Sequence, residues 1–227
     1  MEPLQTFILV APILLFSVVA HEYAHGYAAL RQGDTTALSL GRLTWNPIKH
    51  IDPFLTIIMP LVMFMTIGVA FGGAKPVPVN PDNYRNLRRG DIIVSLAGIV
   101  VNLILAVLLT VAIVLLYYVG RVVPVLSTSA SIVQLMFIYG ISINLLLAVF
   151  NLLPIPPLDG SHVMKYLLPP AWARQYQRLA GLGFLLLIVL VTFGRPVLME
   201  WMQPVFVLGG FAIRLVTPFV LPSPWST

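Results

Sequence analysis

The sequence predicts an all-α polytopic membrane protein with five to six transmembrane helices, and three observations carry that expectation. Hydrophobic residues make up 59% of the chain, and its mean hydropathy is +0.94. Charged residues make up only 9%, against about 25% in soluble domains. The apolar residues are also gathered into runs that approach or exceed the roughly 20 residues a helix needs to cross the hydrocarbon core.

Those runs, in chain order, are Leu4–Leu30, Phe54–Phe71, Ile92–Val119, Ile132–Leu153, Leu179–Phe193 and Val197–Leu221. The second run differs from the others, because it carries Pro60 mid-run, has Gly68 inside it and ends in Gly72-Gly73, all of which weaken a straight helix. It is expected as a re-entrant hairpin rather than a sixth crossing. The segment 72–81 that follows (GGAKPVPVNP) cannot be helical across its prolines, so it is expected as an extended loop. Such backbone persists at a membrane edge only where protein or water covers it. No polar stretch is long enough for an extramembrane domain, so the chain reads as a single domain over 1–227. Its core covers about 4–168, followed by C-terminal helices at about 176–221.

Composition also excludes function classes. The chain has no Cys, so a disulfide framework and a thiolate metal site are ruled out, and a bound metal must use His, carboxylate or water. The net charge of +5 does not point to nucleic acid, since most Lys and Arg lie between apolar runs, as in membrane proteins generally. The run Phe7–Ala20 lacks the basic flank of a signal peptide and leads directly into His21, Glu22 and His25.

His21-Glu22-Tyr23-Ala24-His25 is an HExxH pattern near the end of an apolar helix. Positions i and i+4 of a helix fall within roughly 40° of each other, so the two imidazoles can share one ion while Glu22 reaches a metal-bound water as general base. Two His and a Glu in an apolar segment are costly unless they bind something. A catalytic zinc site usually has three protein ligands and one open position. Candidates for the third are Asp159, His162, His50, Asp52 and Glu200. Asp159 is favoured, since it follows an apolar helix in Asn151-Leu-Leu-Pro-Ile-Pro-Pro-Leu-Asp159-Gly160. There a carboxylate meets a membrane boundary, and Gly160 permits tight geometry.

HExxH on a transmembrane helix followed far downstream by N-x-x-P-x-x-P-L-D-G resembles the site-2 protease family of intramembrane zinc metalloproteases. The segments Gly41–Pro53 and Ala74–Pro81 are similar to its compact prokaryotic branch, which has neither a PDZ nor a CBS domain. The resemblance implies one Zn2+ per chain bound by His21, His25 and Asp159, with Glu22 as the catalytic base. It also implies a transmembrane protein as substrate, a bilayer as surroundings, and a cell (inner or cytoplasmic) membrane as location. Members carry Gly-Pro-x-x-Asn in the third core helix, where this chain has Gly98-Ile99-Val-Val-Asn102 and so lacks the Pro. Asn102 and Asn151 are candidates for binding substrate or an oxyanion, although interhelical packing is an equally ordinary use of Asn102. His162 is a candidate neighbour of the ligands.

The rival reading is a metal-ion or proton transporter using the same His and Asp residues, which predicts ionisable groups repeated over several helices. Here they are concentrated in two places. If His25 and Asp159 share an ion, the C-terminal ends of the first and fourth runs lie on one side of the membrane. The second run then does not cross, and most basic residues fall on the active-site side, which the positive-inside rule makes cytoplasmic.

Overall fold

The computed structural model describes residues 3–58, 62, 65, 73–223 and 225. Among them there are helices and turns but no strand. The helices are α1 (Pro3–Gln32), α2 (Thr36–Ser39), α3 (Leu87–Val122), α4 (Ser127–Asn151), α5 (Asp159–Leu167), α6 (Pro170–Arg178), α7 (Gly183–Thr192), α8 (Arg195–Trp201) and α9 (Gln203–Val216). Among the described residues four spans are long and apolar enough to cross a membrane, and a bent pair makes up to five. The chain is a multi-pass membrane protein. Its large exposed side chains, such as Phe7, Val107, Leu115 and Phe211, form the apolar surface that a bilayer covers.

Helix ends follow local chemistry. Arg31 sits in the last turn of α1, where its charge favours the negative end of the helix dipole. Gly33 terminates the helix at φ 112°, in the left-handed region that favours glycine. At the start of α3, Asn86 Oδ1 accepts the Arg89 N–H at 2.9 Å, a side-chain cap for an otherwise unpaired amide.

Two expected spans are built differently from the simple runs. The run Leu179–Phe193 is extended backwards by the polar helix α6 and a 3-10 turn, giving one span over Pro170–Thr192. The run Val197–Leu221 is bent by 44° between Arg195–Trp201 and Gln203–Phe219. Pro204 sits at that break, and it removes an amide and disfavours helix at the residue before it. Of the run Phe54–Phe71, only the π-helical turn at Pro53–Ile58 and isolated positions are described. The expected hairpin lies outside the described residues.

The chain divides into two compact units, one comprising Met1–Ser17, Asn102–Val149 and Trp201–Thr227, the other Val18–Val101 and Phe150–Glu200. In the first, Gly140 leaves room for Ile13 and Leu109, which a Cβ would meet at 2.7 and 2.8 Å, the use of small residues expected between membrane helices. A buried polar chain joins the same helices. Asn102 donates to Asn144 Oδ1 at 2.8 Å, Asn144 donates to Ser17 Oγ at 2.8 Å, and Ser17 donates to Ile13 O at 2.7 Å. Gln134 bonds the carbonyls of Ile113 and Phe219 and the Leu221 N–H.

In the second unit, Leu153, Leu158 and Leu187 form a core with Phe150, Ile155, Leu190 and Leu198 around the Pro-rich turn. A second cluster of Ala29, Tyr84 and Val94 packs the end of α1 against the start of α3. Asp91, on the first turns of α3, receives His162 Nδ1 at 3.2 Å, the Tyr166 hydroxyl at 3.0 Å and the Lys165 ammonium. Those contacts fasten α5 to α3.

Candidate metal centre

The proposed ligands come from two elements of the second unit. His21, Glu22 and His25 lie on the C-terminal half of α1, and Asp159 is the first residue of α5. A carboxylate in the first turn of a helix is favoured by the helix dipole. The turn that delivers it depends on Gly160, where a Cβ would collide with the backbone of Leu152 and Leu153.

The three side chains converge. His21 Nε2 and His25 Nε2 are 3.0 Å apart, and they lie 3.2 and 3.3 Å from Asp159 Oδ2. The second ring nitrogen of His25, Nδ1, is 2.7 Å from Val94 O. A carbonyl only accepts, so Nδ1 donates and a neutral His25 turns a lone pair toward the other two ligands. Asp159 Oδ2 is buried without a hydrogen-bond partner, although it lies within ion-pair distance of both imidazoles. With His21 also turning a lone pair inward, the three atoms would be acceptors with no donor among them, an arrangement that a cation between them satisfies. A tetrahedral ion with bonds of about 2.0–2.1 Å sets its ligand atoms about 3.3 Å apart, close to the observed triangle. Among the described residues these three side chains form the His and carboxylate group placed so that it could hold a metal.

Two backbone features flank the site, and neither contact was readable in the sequence. Gly98 of α3 lies against the His21 ring, so that a Cβ there would come within 2.5 to 2.6 Å of ring atoms. The Val94 carbonyl, one turn earlier on α3, orients His25, the kind of outer contact that sets a ligand's tautomer. Gly98 was visible as part of a family-like pattern, but a carbonyl oxygen leaves no trace in residue identity. The extended segment beside them is also engaged, since the Val77 N–H donates to Glu22 Oε2 at 2.8 Å.

The remaining candidates lie elsewhere. His162 is on α5 with its Nδ1 against Asp91. His50 is buried, and its Nε2 donates to Thr44 O at 2.9 Å. Asp52 Oδ1 accepts the Phe54 N–H at 2.9 Å. Glu200 is exposed on α8. Asn151 closes α4, half-buried. Asn102 is fully buried in the first unit, with its amide given to Asn144.

Residues 9–128 and 119–191 match Peptidase family M50. The chain belongs to peptidase family M50. The similarity to site-2 proteases is thereby borne out. The chain is 40% identical over 177 residues to "Putative zinc metalloprotease YwhC" of Bacillus subtilis, covering 78% of this chain and 77% of that one. It is 34% identical over 226 residues to Rip2 of Mycobacterium tuberculosis, which carries the same description, covering 97% and 82%. It is 32% identical over 170 residues to MJ0611 of Methanocaldococcus jannaschii, so described as well, covering 73% and 75%. No solved structure matches. The M50 match spans both α1, with the HExxH sequence, and Asp159 on α5.

Proposed function

We propose that this M50 peptidase hydrolyses peptide bonds of transmembrane proteins within or at the edge of the bilayer. In this reading His21, His25 and Asp159 hold one zinc ion per chain, and Glu22 is the general base. The observation that carries it is the convergence of two imidazole nitrogens and a carboxylate oxygen at 3.0 to 3.3 Å, beside a Glu, in a chain of membrane-spanning helices. The relatives' description as zinc metalloproteases supports zinc as the metal.

Bound zinc would polarise the scissile carbonyl and acidify a water molecule. Glu22 takes the proton of that water as its oxygen bonds to the carbonyl carbon, then delivers the proton to the amine nitrogen as the C–N bond breaks. His25 keeps its lone pair directed at the centre through the Val94 carbonyl. A substrate helix hides its carbonyls in its own hydrogen bonds, so a segment must unwind before it can react. The extended residues Gly73–Asn80, which reach Glu22 through Val77, offer that segment a strand-like partner by β-augmentation. The expected partners are thus a membrane protein substrate and the bilayer, with the centre facing the cytoplasm.

The test is cleavage of a tagged single-span reporter in proteoliposomes. Glu22→Gln should lower the rate by about 100-fold or more while zinc stays at the wild-type level. A wild type that cleaves no single-span protein, yet carries Zn2+ or protons across vesicles in a Glu22-dependent way, would establish the transporter instead.

A further inference from the structure

In Lys75-Pro76-Val77-Pro78-Val79, prolines remove every second amide, so Val77 carries the one N–H between Lys75 and Val79. That amide is the donor to Glu22 Oε2. The segment around it is anchored on both sides. Lys75 N–H donates to His50 O at 2.8 Å, and the Arg42 guanidinium donates to the carbonyls of Lys75 and Pro76 at 3.2 and 3.3 Å. Asn80 N–H donates to Asp34 Oδ2 at 2.7 Å. The Val77 side chain is itself buried, 5% exposed. It sits over Gly26, where a Cβ would meet Val77 Cγ1 at 2.9 Å and Leu43 Cδ1 at 3.1 Å. The residue after the second His of the HExxH pattern is therefore the notch that brings this backbone against the carboxylate.

We propose that Val77 is the positioning residue of the general base: its side chain docks over Gly26, and its amide fixes Glu22 Oε2 so that Oε1 faces the reacting water. The inference rests on the assignment of Glu22 as base. A carboxylate on a free side chain samples several rotamers, and misplacing a catalytic group by about 1 Å can cost roughly 100-fold in rate. One fixed amide donor removes that freedom while the other oxygen still accepts a proton. Between flanking prolines the segment is already extended, so the donor is presented without further ordering.

The experiment compares Val77→Pro, which removes the donor but suits the extended backbone, with Val77→Ala, which keeps it. With the tagged single-span reporter, Val77→Pro should lose about 10- to 100-fold in kcat, with KM and zinc content near wild type. Val77→Ala keeps the amide but gives up the docked side chain, so it should lose kcat too, at least about threefold less than Val77→Pro. Equal losses in the two variants, an unchanged kcat in Val77→Pro, or loss of zinc from Val77→Pro would each overturn the proposal. Hydrogen exchange of the peptide covering residues 73–80 reads the contact without catalysis. The Val77 amide should exchange about tenfold faster in Glu22→Ala than in wild type, and unchanged exchange would refute the contact. If Glu22→Gln cleaves like the wild type, the assignment of the base fails instead, whatever the exchange data give.

Discussion

Gly98 and His21 are in contact through the absence of a side chain: the imidazole occupies the space where a Cβ on residue 98 would stand, within 2.5 Å of its ring. Gly98→Ala must therefore move either α3 or the ring. Overpacking of this kind typically costs about 1–3 kcal/mol, and a displaced ligand weakens metal binding by about 10- to 100-fold. Titrating the purified variant with zinc checks this. Wild-type affinity in Gly98→Ala would mean that the ring has another place to go.

Asp159→Ala removes the only carboxylate of the cluster, leaving two imidazoles, and three protein ligands are the usual minimum for a catalytic zinc site. Zinc measured by elemental analysis should fall from about one per chain toward zero after brief dialysis against a weak chelator. Glu22→Gln should retain it. Undiminished zinc in Asp159→Ala would move the third ligand to another residue.

Asp34 gives a prediction in pH. It is buried, 1% exposed, and burial alone would raise its carboxyl. The Asn80 amide, the Asn83 side chain and the Thr36 hydroxyl and amide outweigh burial and leave it below its ordinary value. A folded-state pKa below the unfolded value of about 3.9 means that the stabilisation is complete above that pH. It is lost as pH falls through the folded value. Asp34→Asn puts an N–H₂ where donors already converge and should lower stability at pH 7 by about 1–3 kcal/mol. In detergent that lowers Tm by about 2–4 °C per kcal/mol. The gap between wild type and variant should narrow below about pH 4, and a gap that widens there would reverse the assignment.

How much of this was legible beforehand depended on whether the information sits in side-chain type or in backbone placement. HExxH was readable because helical geometry alone puts His21 and His25 on one face. Asp159 was readable because a carboxylate and a glycine after a Pro-rich turn are conspicuous in an apolar chain. The Val94 carbonyl, the Val77 amide and the notches at Gly26 and Gly98 were not, since they depend on which helix lies beside α1. The bend at Pro204 and the backward extension of Leu179–Phe193 through a polar helix were missed for a different reason. Hydropathy counts apolar residues but does not register where a continuous helix breaks or continues into polar sequence. Asn102 was readable either as a substrate contact or as interhelical packing, and which helix its amide bonds, through Asn144, depends on placement that residue identity does not carry.

Two separate contacts demand the same topological parity. The end of α1 is bonded to the residues that precede α3: Asp34 accepts the Asn80 N–H and the Asn83 side chain, and Arg85 N–H donates to Gln32 O at 2.9 Å. The connection from Gly33 to Asn86 therefore leaves and returns at one face. Independently, His25 near the end of α1 meets Asp159 just beyond α4, so α3 and α4 must cross out and back between them. Both place the described residues on either side of the run Phe54–Phe71, Asp34 before it and Asn80 after it, on the face where His25 meets Asp159. Arg31, Arg42, Lys49, Lys75, Arg85, Arg88, Arg89 and Lys165 then lie on the face of the metal centre, with Arg121 opposite. By the positive-inside rule that face is expected to be cytoplasmic. The chain has no Cys, and Thr35 and Asp82 are exposed, so Thr35→Cys and Asp82→Cys can be probed singly with a membrane-impermeant thiol reagent. Both should be protected in intact cells and labelled after lysis. Labelling of both in intact cells would invert the orientation while keeping the parity. Labelling of one alone would place the ends of the connection on opposite faces and break the parity itself.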